Sequence, residues 1–239
     1  MRFNKVLIVL LLLFSIISFG EKVEKKPVDS FKYFEVYDPF EPMNRRIYYF
    51  NYQFDKYIFL PTVKFYQTVT PKLVREGVNN FFVNSENIST VSNSILQFKL
   101  GKAMRALGRF TMNVTLGMGG IFDVASSMGM PKPHEDFGLT LARYGIGQGP
   151  YLVLPILGPS FLRDTVGKGV DTFGKNVVYN VSDLEELNRP EVTLLYGIDT
   201  RENIPFEYYQ TGSPFEYEYI RFLYFKYRQL QNELGSEVF

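Results

Sequence analysis

The chain of 239 residues has no cysteine, no tryptophan and one histidine, His134. Without cysteine there can be no disulfide, no thiolate nucleophile, no Cys-ligated zinc and no iron–sulfur cluster. With one histidine, a metal centre or a His-dependent catalytic site would rest on His134 and neighbouring carboxylates. An excess of charge of one sign is also missing: 26 Lys and Arg stand against 25 Asp and Glu. A nucleic-acid binder would show a basic surplus, and none is expected as a partner. Long apolar runs are confined to the extreme N-terminus. No later stretch is long and apolar enough to span a bilayer as a helix.

Catalytic and cofactor motifs are missing too. "GIGQGP" at 145–150 is half of a dinucleotide fingerprint, but its third glycine position is Pro150 and no strand clearly precedes it. "LGMGG" at 116–120 lacks the Lys-Ser/Thr of a phosphate-binding loop. There is no spaced His pair and no nucleophile elbow. His134 sits beside Glu135 and Asp136 in "PKPHEDFG", but adjacent residues on one segment rarely converge on one ion, so a surface or capping role is expected. The sequence predicts no cofactor, no metal and no enzyme. A lipid hydrolase, the rival enzymatic reading, would depend wholly on His134.

What is present is aromatic. Phe and Tyr make up 17% of the chain, and tyrosine joins a large apolar body to a polar tip suited to a water boundary. The N-terminus carries Arg2 and Lys5, then an apolar run from Val6 to Phe14, then Ser18 and Gly20. This is the pattern of a secretory signal over 1–20, cut before Glu21. A charged tether is expected over 21–36 and one helical domain over 37–239.

Helical spacing recurs along that domain. Met43, Ile47, Phe50, Phe54 and Ile58 share one face of a first helix, with Tyr48, Tyr49, Tyr52 and Tyr57 wrapping much of the remainder. A helix so apolar all round is buried or sits in lipid. Further helices are expected over 62–69; from Thr70 as cap to about Phe82; through Ile88, Val91, Ile95 and Phe98; over 101–114; around 135–143; over 160–173; from Asn188 as cap with Pro190 at the start; and from Ser213 as cap, with Glu216 closing a capping box, to about Leu234. Strands are not expected. The apolar segment 151–157 is broken by Pro155.

Four blocks carry a resemblance: "DPFEPMNRRIYYFN" (38–51), "FTMNVTLGMGGIFDVAS" (110–126), "EDFGLTLARYGIGQGPYLVLPILGPSFLRD" (135–164) and "GIDTREN" (197–203). In this order they resemble the VacJ/MlaA family of outer-membrane lipoproteins, over about Asp38 to Phe225. The resemblance implies a mostly α fold, a ring of amphipathic helices lying in the membrane around a central channel. It implies removal of phospholipid from the outer leaflet of the outer membrane, handed to a periplasmic carrier, in association with a trimeric porin. The alternative it leaves is a structural companion of a porin without transport.

On this reading the apolar glycine segment Leu116, Gly117, Met118, Gly119, Gly120, Ile121 and Phe122 shapes a lipid passage, or makes a tight turn between packed helices. The segment with Tyr144, Gly145, Gly147, Gly149, Pro150, Tyr151 and Pro155 shapes it as well. Asn44, Arg45, Phe50 and Asn51 support or gate it, and Arg163 offers a polar contact or an ion pair. The sequence departs from the family pattern in one respect. Where a lipobox cysteine is expected stands Glu21, so acylation at that place is not expected: either the aromatic ring and a porin-like partner suffice as an anchor, or the signal stays uncleaved, or the protein is more loosely held.

Overall fold

The computed structural model describes residues 36–210 and 212–234. The expected signal, and the tether up to residue 35, lie outside the described residues. Val36, the last tether residue, is buried in the core.

Helix α1, Glu41–Phe54, opens with Pro42 in its first turn, where a missing N–H costs nothing. It does not end at Phe54. A π-helical turn, Asp55–Phe59, carries it straight into α2, Leu60–Val69. Pro61 explains the wider turn. Its ring crowds the preceding turn and it has no N–H to donate, and the backbone widens just before it: Leu60 N–H bonds back to the Asp55 carbonyl, five residues away. At the far end Thr70 is extended, because a residue before proline avoids the helical region.

Pro71 caps α3, Lys72–Leu96. The expected cap at Thr70 and break near Phe82 are therefore corrected. The helix runs on because no glycine or proline interrupts 78–96; Ser85, Ser92 and Asn93 are accommodated within it by donating to carbonyls four residues earlier. A short turn leads to α4, Leu100–Thr115, which packs along α3. Two short helices follow, α5 at Val124–Ser127 and α6 at Phe137–Arg143. Asp123 and Asp136 cap them, accepting from Ser126 and Leu139 N–H.

Tyr151–Leu154 (β1) and Gly158–Phe161 (β2) form an antiparallel hairpin, Tyr151 opposite Phe161 and Leu154 opposite Gly158. This corrects the expectation of no strands. Pro155 sits in the turn, not as a break, and Ile156 and Gly158 take the positive φ the turn needs. The edge of β1 is covered by side chains. Asn44 donates to the Tyr151 carbonyl (3.0 Å) and accepts from Val153 N–H (2.9 Å). Seven residues on, Asn51 donates to the Leu154 carbonyl (2.9 Å) and accepts from Ile156 N–H (2.7 Å). Two turns of helix bring both amides to one face, and together they act as a third strand.

Helices α7 (Leu162–Val181), α8 (Pro190–Glu202) and α9 (Glu216–Leu234) complete the order, with a 3₁₀ turn at Glu185–Asn188 before α8. The cap of α8 is Arg189, one residue later than expected. α9 begins at Glu216, whose carboxylate accepts from the Tyr48 hydroxyl and Tyr209 N–H. The packing neighbours close on themselves: α1 leads to α2, α2 packs on α8, α8 on α3, α3 on α6, α6 on α9, α9 on β2, and β1 on α1. The fold is mostly α and ring-like.

Burial across this ring is uneven. Around the hairpin it is ordinary: Val36, Tyr48, Tyr151, Val153, Phe161 and Tyr217 form the apolar core. In α3, α4 and the turn between them it is largely reversed. Asn84, Asn87, Thr90, Asn93, Ser94, Lys102, Arg109 and Asn113 are buried beside Phe82, Ala103 and Ala106, while Leu73, Ile95, Phe98, Leu100 and Met104 are exposed. No described helix is long and apolar enough to cross a membrane.

Candidate functional site

Polar groups in and around the reversed region pair with one another in three knots, while the buried Ser94 hydroxyl stands outside them without a hydrogen-bond partner. Glu135 accepts from Lys99, Lys102 and Gln97, and Gln97 also donates to Thr140. Burial would raise the Glu135 pKa, but the two ammonium groups and Gln97 hold it below its ordinary value. Arg109 binds both oxygens of Asp123, which also accepts from Asn113 and Ser126. Arg228 of α9 reaches both oxygens of Asp136 and of Asp164, at 2.7–3.0 Å. Burial opposes ionisation of Asp136, yet His134 and Arg228 keep its carboxyl well below the usual range. His134 Nε2 lies 3.6 Å from Asp136, and its own pKa, lowered by burial, is raised overall by that carboxylate. Among the described residues no group of three His, Cys, Asp or Glu could hold a metal ion.

The apolar half of the ring holds a cavity of about 360 Å³ between the end of α1, the hairpin turn, the 203–208 connector and the middle of α9. Its walls include Phe54, Phe59, Leu157, Ile204, Phe206 and Leu223. Two charges reach it, Asp55 from the π-helical turn and Arg201 from the end of α8. They meet each other, Arg201 Nε to Asp55 Oδ1 at 2.6 Å and Nη2 to Oδ2 at 3.0 Å. Arg201 also donates to the Ile204 and Phe206 carbonyls (3.0 and 2.8 Å), tying down the connector. Tyr208 lines the same space, its hydroxyl pKa pushed up to about 12 by burial and then by the Asp55 charge. The cavity is thus amphipathic in composition, with its charges paired.

Of the side chains singled out from sequence, Asn51 lines this cavity. Ile156, Leu157 and Gly158, from the end of the 144–158 segment, line it too. Asn44 is wholly buried on β1, and Arg45 pairs with Glu41 and Glu218 and lies 4.4 Å above the Tyr217 ring. Phe50 is half exposed beside Phe54.

The 116–122 segment lies away from the cavity, as a tight turn after α4. Gly119 and Gly120 N–H bond back to Val114 and Asn113, and Phe122 N–H to Gly117. A Cβ on Gly117 would come within 2.2 Å of the Phe122 carbonyl and 2.4 Å of the Asn113 carbonyl. Gly119 and Gly120 need positive φ. Leu116, Met118, Ile121 and Phe122 are held outward and exposed.

Tyr144 donates to the Leu96 carbonyl (2.6 Å), Gly145 and Gly149 have positive φ, and Gly147 has open space around it. The Pro150 carbonyl accepts from Leu162, and Tyr151 is fully buried. Arg163 is buried against Asp164 and the Ile146 carbonyl, an ion pair. Asp55, Tyr208, Leu223, Tyr224 and Tyr227 escaped the sequence reading. They come from elements far apart in the chain, and none carries a local signal.

A family model described as MlaA lipoprotein matches residues 36–231. An Escherichia coli protein called intermembrane phospholipid transport system lipoprotein MlaA is 41% identical over 142 residues, covering 57% of this chain and 56% of that protein. An uncharacterized protein of Rickettsia conorii is 42% identical over 142 residues, covering 59% of this chain and 57% of its own. These alignments span little more than half the length of the curated relatives they match. A solved structure, described as the structural basis for maintenance of bacterial outer membrane lipid asymmetry, superposes with a TM-score of 0.65. It is 30% identical, and the match covers 80% of this chain and 96% of that one.

Proposed function

Because the chain belongs to the MlaA lipoprotein family, we propose that it moves phospholipid from the outer leaflet of the outer membrane toward a periplasmic carrier, keeping that membrane asymmetric. The observation that carries the reading is the reversed burial of α3 and α4. Phe98 is 83% exposed while Asn93, on the same helical hairpin, is 1% exposed. In water this arrangement leaves large apolar surface uncovered, and such surfaces mark contact with an apolar medium or partner. Acyl chains supply that medium, and amphipathic helices lying in the plane of a membrane use it in this way. The process is transfer without covalent chemistry, and it needs no cofactor. A trimeric porin is the neighbour that would hold the ring in the membrane beside the fatty side chains.

The test is the phospholipid content of the outer leaflet in cells with and without this protein. A rise on its removal, reversed when the intact chain returns, is expected. An unchanged outer leaflet would overturn transport and leave a structural companion of a porin.

A further inference from the structure

The cavity between α1, the hairpin turn, the connector and α9 has features that narrow what it can take. Its volume, about 360 Å³, is near the lower end of ligand pockets, roughly 300–1,000 Å³. At ~30 Å³ for each water-sized unit, and a methylene is of similar size, it has room for about a dozen such units, which matches the bulk of one acyl chain. Its charges are already used. The Asp55 carboxylate is held bidentately by Arg201 through Nε and Nη2, while Nη1 donates to the Ile204 carbonyl and Nη2 also donates to the Phe206 carbonyl. Asn51 is spent on both sides of its amide, on Leu154 and Ile156. A phosphate entering here would lose water and find no cation without a partner, which is a large desolvation cost. An aliphatic chain would meet Phe54, Phe59, Leu157, Phe206 and Leu223 and gain transfer free energy with each methylene it buries.

We propose that this cavity is a site for a single acyl chain, which excludes the phosphate head group. This rests on the lipid-transfer reading and refines it: a two-chain lipid would be held by one chain, with its head group and second chain outside. A chain of this kind could come from a diacyl phospholipid or from a single-chain amphiphile.

The test uses the full purified chain in lipid nanodiscs, with a dansyl-labelled undecanoic acid as the fluorescent probe. Saturable probe binding is expected, displaced by lysophospholipid and by short-chain diacyl phospholipid, and untouched by glycerophosphate. Displacement by lysophospholipid but not by the diacyl lipid would overturn the two-chain part and leave a single-chain amphiphile site. Leu223→Trp, which fills the cavity, should weaken probe binding at least tenfold. Leu194→Trp, on the outer side of α8 and 62% exposed, should not. Ile220→Phe fills the same cavity more gently and should lower affinity in the same direction if Leu223→Trp fails to fold. Unaltered binding in a folded cavity-filling variant, or displacement by glycerophosphate, would overturn the proposal. Its failure is separable from that of lipid transfer. Probe binding with an unchanged outer leaflet in cells would sink transfer and keep the site; a changed outer leaflet without probe binding would do the reverse.

Discussion

The α3–α4 helical hairpin and the β1–β2 hairpin are built by opposite rules in one chain. Around β1 and β2 the aromatic rings of Tyr48, Tyr151, Phe161 and Tyr217 pack edge to face, and polar groups serve the backbone at the border. In α3 and α4 amides and charges are the filling, and the apolar side chains form the outside. Buried polar groups are tolerated where they are satisfied by one another. The contrast teaches that the ring has one core suited to water and one surface suited to lipid. Stability and location are therefore carried by different residues, and substitutions can separate them.

The largest effect is expected in the polar filling. Arg228→Ala removes the cation shared by Asp136 and Asp164, leaving the buried Asp164 with Arg163 and the partly buried Asp136 with His134. Breaking a buried ion pair from one side costs about 3–5 kcal/mol, and with these remaining partners chemical unfolding should show a loss at the lower end, about 3 kcal/mol. A shift below 1 kcal/mol would mean that water reaches this knot and that the reversed region has no true interior.

Next comes the glycine turn that joins the polar filling to the apolar outside. Gly117→Ala sets a methyl against two backbone carbonyls, and overpacking of this kind costs about 1–3 kcal/mol. Gly119→Ala meets nothing within 4 Å and carries only the strain of positive φ, about 1–2 kcal/mol. Equal losses at the two sites would show that the turn yields and that Gly117 is not closely packed.

A third expectation turns the comparison around. Replacing Leu100, Met104 and Leu107 of α4 by serine touches exposed side chains, so unfolding should change by no more than about 0.5 kcal/mol per site. Partition into phospholipid vesicles should fall sharply, since each side chain removed from lipid forfeits up to about 1.5–3 kcal/mol of transfer. Phe161→Ala on β2 should give the converse, a loss of about 3–5 kcal/mol in stability with little change in partition per folded molecule. Unchanged partition of the serine variant would refute the outward-facing surface as the membrane contact.

The helices were legible because spacing is local. Pro42, Pro71 and Pro190 mark starts, and Asp136 caps where "EDFG" suggests a helix. The sidedness was not. The spacing of Ile88, Val91, Ile95 and Phe98 says that α3 has two faces, and nothing in a period of 3.6 says which face is inside. That answer came from the partners of the other face, Asn93 with Asp171 and Thr140, and Gln97 with Glu135. The hairpin hid behind Pro155, because four-residue strands give too few alternations to outweigh a proline. The cavity was illegible for a plainer reason: Asp55 and Arg201 are 146 residues apart and become a pair only when α8 meets the π-helical turn.

The smallest expected effect uses two aspartates, Asp136 partly buried and Asp199 buried, whose pKa values move in opposite directions. Asp136 is lowered, because the hydrogen bonds of His134 and Arg228 outweigh burial. Its stabilisation is present above the ordinary carboxyl value of 3.8 and is lost as pH falls below it. Asp199 is raised, because burial is opposed only by the hydrogen bond from Asn79. Its stabilising contribution is complete below 3.8 and is lost as pH rises through its higher folded value. Asp199→Asn keeps the shape and removes the charge, so it should raise the unfolding midpoint at pH 7 and leave it unchanged at pH 3.5. Asp136→Asn should lower the midpoint at pH 7, by an amount that shrinks in acid. Unfolding curves for both variants across this range decide the matter. Parallel slopes would mean that Asp199 is as well paired as Asp136, and that the polar filling extends unbroken to α8.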